Sequence, residues 1–193
     1  MALPVPDSVA SSLATLLAPV QAANPDVRWL DRDQLHVTLA FIGAMPADRL
    51  DPLEQALVEA ARVCGPFRIG LGNAGRFGGR GRQEVAWVGL GDGRSTCVDL
   101  ADQVLAACRA AGVLPAASEG VADAPLRPHL TVARRAAPGL PAAIEAALGP
   151  RSLGWLADEM VLYRSHLGPP AVRYETLLRL PFGPHLPRTG GAG

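Results

Sequence analysis

His36-Val37-Thr38-Leu39 and His129-Leu130-Thr131-Val132 are one four-residue pattern written twice. Successive side chains of a β-strand alternate between faces, so each copy presents a histidine and a threonine to one side and two apolar residues to the other. Two half-buried strands of this kind would offer two imidazoles and two hydroxyls to a common cleft. The chain has four histidines, and half of them fall in this repeat.

Helical and extended patterns surround both copies. Val9, Leu13, Leu16 and Leu17 recur at helical spacing and predict a helix over 8–18. The first motif strand covers Gln34 to Phe41. Asp51-Pro52-Leu53-Glu54 then reads as a helix start, with Asp51 as cap and Pro52 at the first helical position, and that helix stops at Gly65-Pro66. Phe67 to Leu71 and Glu84 to Leu90 predict strands flanking a Gly- and Arg-rich loop, and Ser95 to Ala111 a helix closed by Gly112. After Arg127-Pro128 come the second motif strand, His129 to Arg134, and a short helix from Pro141 to Leu148. Two final strands, Glu159 to Ser165 and Val172 to Leu180, flank a turn at Gly168-Pro169-Pro170.

The order strand, helix, strand that follows His36 recurs after His129. The expectation is an α+β fold of two similar lobes, each an antiparallel sheet with helices on its outer face, related by a pseudo-twofold around a central cleft. Residues 1–182 form one bilobal domain, and 183–193, rich in Pro and Gly, form a tail.

Composition narrows the chemistry. The 193 residues are 49% apolar and 19% charged with zero net charge, which argues against gripping long nucleic acid through an overall field. All 18 basic residues are Arg. No Walker A, Schiff-base or lysyl-adenylate lysine is available, so ligation through a lysyl-adenylate is excluded. Cys64, Cys97 and Cys108 are odd in number and form no CxxC, which fits a reducing cytoplasm. No secretory leader or membrane-spanning apolar run is read in the sequence.

Gly70-Leu71-Gly72-Asn73-Ala74-Gly75 matches a dinucleotide fingerprint, but Arg76-Phe77-Gly78-Gly79-Arg80-Gly81-Arg82 follows where a long helix should open. Arg76, Arg80 and Arg82 are candidates either for contact with RNA phosphates or for a solvated hairpin loop. No close-spaced ligand pair suggests zinc. His166 reads as a surface residue near the Gly168-Pro169 turn, and His185 as part of the tail.

With these stretches in place the chain resembles the 2H phosphoesterase superfamily, and within it the bacterial RNA 2′,3′-cyclic phosphodiesterases, formerly called 2′-5′ RNA ligases. The matching residues are Arg28-Trp29-Leu30, Leu35 to Gly43, Arg127 to Arg134, and Leu162-Tyr163-Arg164-Ser165 with Gly168-Pro169 and Tyr174. Two departures stand out. Only Ala2-Leu3-Pro4-Val5-Pro6 remains of the usual aromatic-containing first strand, which reads either as a truncated strand or as a start a few residues late, and Val132 replaces the commoner Leu.

The resemblance implies hydrolysis of RNA 2′,3′-cyclic phosphate ends to 2′-phosphates, a step in RNA processing, with no cofactor and no metal. His36 would be the proton donor and His129 the proton acceptor, although the motifs' symmetry leaves that polarity open from sequence alone. An unperturbed histidine titrates near pH 6.5, so both roles are accessible near neutrality. Thr38, Thr131 and Arg134 would bind the phosphate. Strict alternation turns Arg134 and Phe41 away from the motif face. A twist or bulge near Ala40 would be needed to make Phe41 a base-stacking platform. The expected partners are RNA termini or small cyclic nucleotides, with the protein a monomer. The same site would serve 2′-5′ ligation or cleavage of 2′-5′ linkages, and a non-catalytic RNA-end binding module is the remaining alternative.

Overall fold

The computed structural model describes residues 1–79, 82–114, 126–150, 153–168 and 172–183. Arg80, the Pro169-Pro170 turn and the tail beyond Gly183, with His185, lie outside the described residues, as do the side chains of Arg82 and Gln83.

Strands β1 (Ala2–Pro4), β2 (Arg28–Trp29), β3 (His36–Thr38), β4 (Phe67–Gly79), β5 (Arg82–Leu90), β6 (His129–Arg134), β7 (Gly154–Ala157), β8 (Glu159–His166) and β9 (Arg173–Pro181) form one antiparallel sheet. Its order is β7-β4-β5-β6-β3-β1-β8-β9, and β2 also pairs with β6. Among the described residues four α-helices flank the sheet: α1 (Asp7–Ala23), α2 (Leu50–Val63), α3 (Arg94–Ala110) and α4 (Leu140–Leu148). The chain is thus an α+β protein with an antiparallel sheet and peripheral helices.

Two apolar clusters anchor the sheet. Leu53 and Leu57 of α2 and Leu100 and Val104 of α3 pack with Leu3, Val37 and Met160. Leu13 and Leu17 of α1 and Ile144 of α4 pack with Val88, Leu130 and Val132. Val37 and Leu130 face each other across the β3–β6 seam, and both are fully buried. Burying each is worth about 1.5–3 kcal/mol. A one-residue slip would expose them and bury His36 and His129 instead, so the core fixes which face carries the imidazoles.

Both motif strands break their alternation just past the threonine. The N–H groups of Leu39 and Ala40 both donate to the Met1 carbonyl, at 2.9 and 3.2 Å. Leu39 and Ala40 are both buried, at 2% and 7% exposure. On β6, partners step from Ala133 to Thr131 while β5 advances only from Ala86 to Trp87. Val132 is the extra residue of a bulge, and it and Ala133 are both buried, at 3% and 0%. Each bulge shifts the strand by one residue. Arg134 therefore returns to the face of His129, where strict alternation sends it away, and Phe41 follows the break at Leu39 and Ala40 beyond the end of β3.

Several boundaries differ from those the sequence predicts. α1 runs on through Pro19 to Ala23, because Val20 continues its buried stripe. Asp51 does not cap α2: a 3-10 turn over Ala47–Arg49 feeds straight into the helix, and Asp51 and Pro52 lie inside its first turn. There the missing proline N–H has no intrahelical acceptor to lose. The Gly-rich segment after Leu71 is strand rather than loop, pairing with β5 out to Gly79. Glycine suits Gly75 because the Trp87 indole lies over it. Ala2–Pro4 fills a central sheet position, pairing Leu3 with Val37 and Pro4 with His36. No described helix is long and apolar enough to cross a membrane.

Candidate active site

The two imidazoles are hung in the same way. His36 Nδ1 lies 2.9 Å from the Gln34 carbonyl oxygen, and His129 Nδ1 lies 2.7 Å from that of Arg127. A carbonyl only accepts, so each Nδ1 carries a proton and each Nε2 is left for a ligand. Around His36 the acceptor itself is clamped. Gln34 accepts from the Asp31 N–H at 2.9 Å and donates to the Val172 carbonyl at 2.7 Å.

Antiparallel pairing at Val37–Leu130 sets each motif's histidine opposite the other's threonine. Thr38, Thr131 and Arg134 are all half-buried. Phe41 is 83% exposed.

Each histidine also has an aromatic wall, which the sequence reading missed. His36 is flanked by Tyr174, edge-on at 4.8 Å, and Tyr163 at 5.9 Å, the only two tyrosines of the chain. His129 is flanked by Phe77, edge-on at 5.0 Å, and Trp87 at 6.1 Å. The available signal was period-two spacing: Tyr174 alternates with Arg173 and Glu175, and Trp87 with Ala86 and Val88.

Burial holds the His36 pKa below its ordinary value. The Gln34 carbonyl opposes this, while the positive charges of the amino terminus, His129 and Arg134 add to it. Those charges act on His36 because the motifs converge on one locality.

Other candidates fall away from this centre. Arg76 pairs with Glu84 and, opposite Ala86, projects to the helix-covered face, away from Phe77 and His129. His166 Nε2 contacts Glu175 at 2.8 Å on the exposed end of β8. The cysteines are buried and unpaired, and desolvation raises their pKa, that of Cys97 to about 12, so none is a poised nucleophile. Among the described residues no group of three or more His, Cys, Asp or Glu could hold a metal ion.

Comparison with known proteins agrees with this geometry. Residues 5–169 match the model of the 2′-5′ RNA ligase superfamily. An RNA 2′,3′-cyclic phosphodiesterase of Thermus thermophilus is 32% identical over 149 residues, covering 75% of this chain and 70% of that protein. Another, from Geobacillus stearothermophilus, is 28% identical over 94% of this chain, and the chain spans only 56% of that relative's length. The crystal structure of TT0787 of Thermus thermophilus superposes with a TM-score of 0.72 at 26% identity, over 95% of this chain and 97% of that one. With two His-x-Thr strands meeting at one seam, the chain belongs to the 2′-5′ RNA ligase superfamily, in the RNA 2′,3′-cyclic phosphodiesterase family of the 2H phosphoesterases.

Proposed function

We propose that the protein hydrolyses RNA 2′,3′-cyclic phosphate ends to 2′-phosphates, with His36 as general acid and His129 as general base. The observation that carries this is the twin suspension of the imidazoles: each Nδ1 bonded to the carbonyl two residues back, each Nε2 left for the substrate, on strands that meet at one residue pair.

Opening the cyclic ester is an in-line displacement, with water entering on one side of phosphorus and the 3′ oxygen leaving on the other. His129 takes the proton of the entering water while His36 protonates the leaving oxygen. Each positioned transfer is worth roughly 10²–10⁴ in rate. Before substrate binds, His36 is drawn toward its neutral form. The bound phosphodiester anion offsets the nearby positive charges and makes the protonated form accessible. Thr38 and Thr131 donate to the non-bridging oxygens, Arg134 balances their charge, and Phe41 stacks on a base. The scheme needs no metal, because these donors already surround the phosphoryl group.

A pseudo-twofold through the β3–β6 seam accounts for the repeated parts. Each half contributes a strand, a helix, the motif strand, a second helix and a further strand. β1, α1, β3, α2 and β4 correspond in order to β5, α3, β6, α4 and β8. The first helix of each half crosses to pack beside the second helix of the other, α1 on α4 and α3 on α2. The substrates are RNA termini or small cyclic nucleotides, and the protein acts as a monomer in the cytoplasm, where its unpaired cysteines stay reduced.

An oligoribonucleotide ending in a 2′,3′-cyclic phosphate, incubated with the protein in chelator, should give a 2′-phosphate end. A cyclic end left intact refutes the activity. A 3′-phosphate product refutes the assignment of the leaving oxygen.

A further inference from the structure

The two imidazole suspensions are stiffened by different means. The carbonyl that holds His129 belongs to Arg127, and Pro128 follows it. Proline fixes its own φ and confines the residue before it to extended conformations, so covalent structure sets the direction of the Arg127 carbonyl. The carbonyl that holds His36 has no such support. Gln34 ends a 3-10 turn, Arg32–Gln34, and Leu35 follows it. A proline at 35 would drive Gln34 out of the helical region. It would also remove the Leu35 N–H, which donates to the Arg32 carbonyl at 3.2 Å. His36 opens a strand of three residues, whereas His129 opens one of six.

The Gln34 side chain supplies what this backbone lacks. Its amide accepts from the Asp31 N–H at 2.9 Å and donates to the Val172 carbonyl at 2.7 Å. One bond closes the turn that aims the Gln34 carbonyl. The other reaches the foot of β9, two residues before Tyr174, whose ring stands edge-on to His36 at 4.8 Å. A single side chain thus ties the acceptor of the His36 Nδ1 proton to the strand that walls the ring. An amide suits both partners, since one bond needs an acceptor and the other a donor.

We infer that Gln34 is the positioning residue of the general acid, doing for His36 by two hydrogen bonds what Pro128 does for His129. It touches no reacting atom and acts through the imidazole. This rests on the functional reading above, in which His36 protonates the leaving oxygen.

The test is Gln34→Met, which keeps the side-chain length and removes both bonds. On a dinucleotide ending in a cyclic phosphate, kcat should fall about tenfold with KM changed by less than about twofold, the scale of a catalytic group displaced by less than about 1 Å. On the same dinucleotide with sulfur as the 3′ leaving atom, which departs without a proton, the variant should run within about twofold of wild type. Nitrogen NMR of the rings at about pH 8, where an ordinary histidine is neutral, reads the suspension without substrate. His36 should pass from the Nδ1–H tautomer to a mixture of the two, while His129 keeps its own. Should Gln34→Met melt below the assay temperature, Gln34→Asn, too short to span both partners, is measured in its place. Wild-type kcat on the oxygen substrate, an equal loss on both substrates, or an unchanged His36 tautomer overturns the inference. A wild-type protein that opens neither substrate refutes the functional reading, and this inference with it.

Discussion

Replacing Gly75 with alanine should disable the site without touching a residue that meets the substrate. A Cβ at this position would lie 2.1 Å from Trp87 Cζ2 and 2.3 Å from Cη2. Taking about 3.5 Å as a comfortable carbon–carbon separation, the indole must retreat by roughly 1.4 Å. It has little room to do so quietly. Its centroid is 5.0 Å from that of Phe77, and both rings wall His129. Overpacking of this kind costs about 1–3 kcal/mol, and the gain from losing a strand glycine offsets about 0.5–1 kcal/mol. A net loss of about 1–2 kcal/mol corresponds to a Tm lower by roughly 2–8 °C in a domain of this size. Misplacing a catalytic group by about 1 Å costs up to about 100-fold in rate, so kcat/KM should fall by about 10- to 100-fold. The assay is opening of a cyclic-phosphate oligonucleotide, followed chromatographically beside a thermal melt. Adding Trp87→Leu removes the clash, so the double variant should regain stability while its activity stays low, the wall behind His129 being gone. Wild-type activity in Gly75→Ala, or a double variant no more stable than the single one, would refute the reasoning.

Two further outcomes are expected. On a substrate whose 3′ leaving oxygen is sulfur, which departs without protonation, His36→Ala should recover much of its rate and His129→Ala should not; the opposite pattern would exchange their roles. The pH dependence of stability should also carry the mark of His36. Burial and neighbouring positive charge lower its native pKa, so the unfolded chain binds this proton more readily than the native state does. Its contribution is therefore full above about pH 6.5 and is lost as pH falls through the lowered native value. Chemical denaturation from roughly pH 7 to pH 5 should show a shallower decline in His36→Gln than in wild type. The Met1 amine, held at about 6 by burial, titrates in an overlapping range and would account for part of the decline that remains. Parallel curves would contradict the burial of His36.

The sequence carried the motif strands plainly, because alternation with one buried face is a local property: Val37 and Leu130 declare the core side, and His36 and His129 the open one. It did not carry the bulges. Whether a strand skips a residue depends on its neighbour, here the Met1 carbonyl that takes two N–H groups and the β5 ladder that advances past Val132. Ideal alternation therefore sent Arg134 to the wrong face. The one local hint is that alanine follows both motifs, at Ala40 and Ala133, where a small buried residue suits the end of each bulge. The Gly-rich run of β4 misled for a related reason. Gly75 answers to a ring on the adjoining strand rather than to a turn in its own. The aromatic walls went unseen because Phe77 fell in a segment taken for loop, and Tyr163 and Tyr174 reach His36 only through strand pairings distant in sequence.

The central claim is that two imidazoles, suspended alike on either side of the β3–β6 seam, open the cyclic phosphate together. The most direct measurement is the single-turnover rate of cyclic-phosphate opening for wild type, His36→Ala, His129→Ala and the double variant, with circular dichroism to confirm that each folds. Each single replacement should slow opening by at least about 100-fold, and the double variant should be little slower than either, because the acid and base act as a unit. A folded single variant that keeps wild-type rate, or losses that multiply independently in the double variant, would contradict the account.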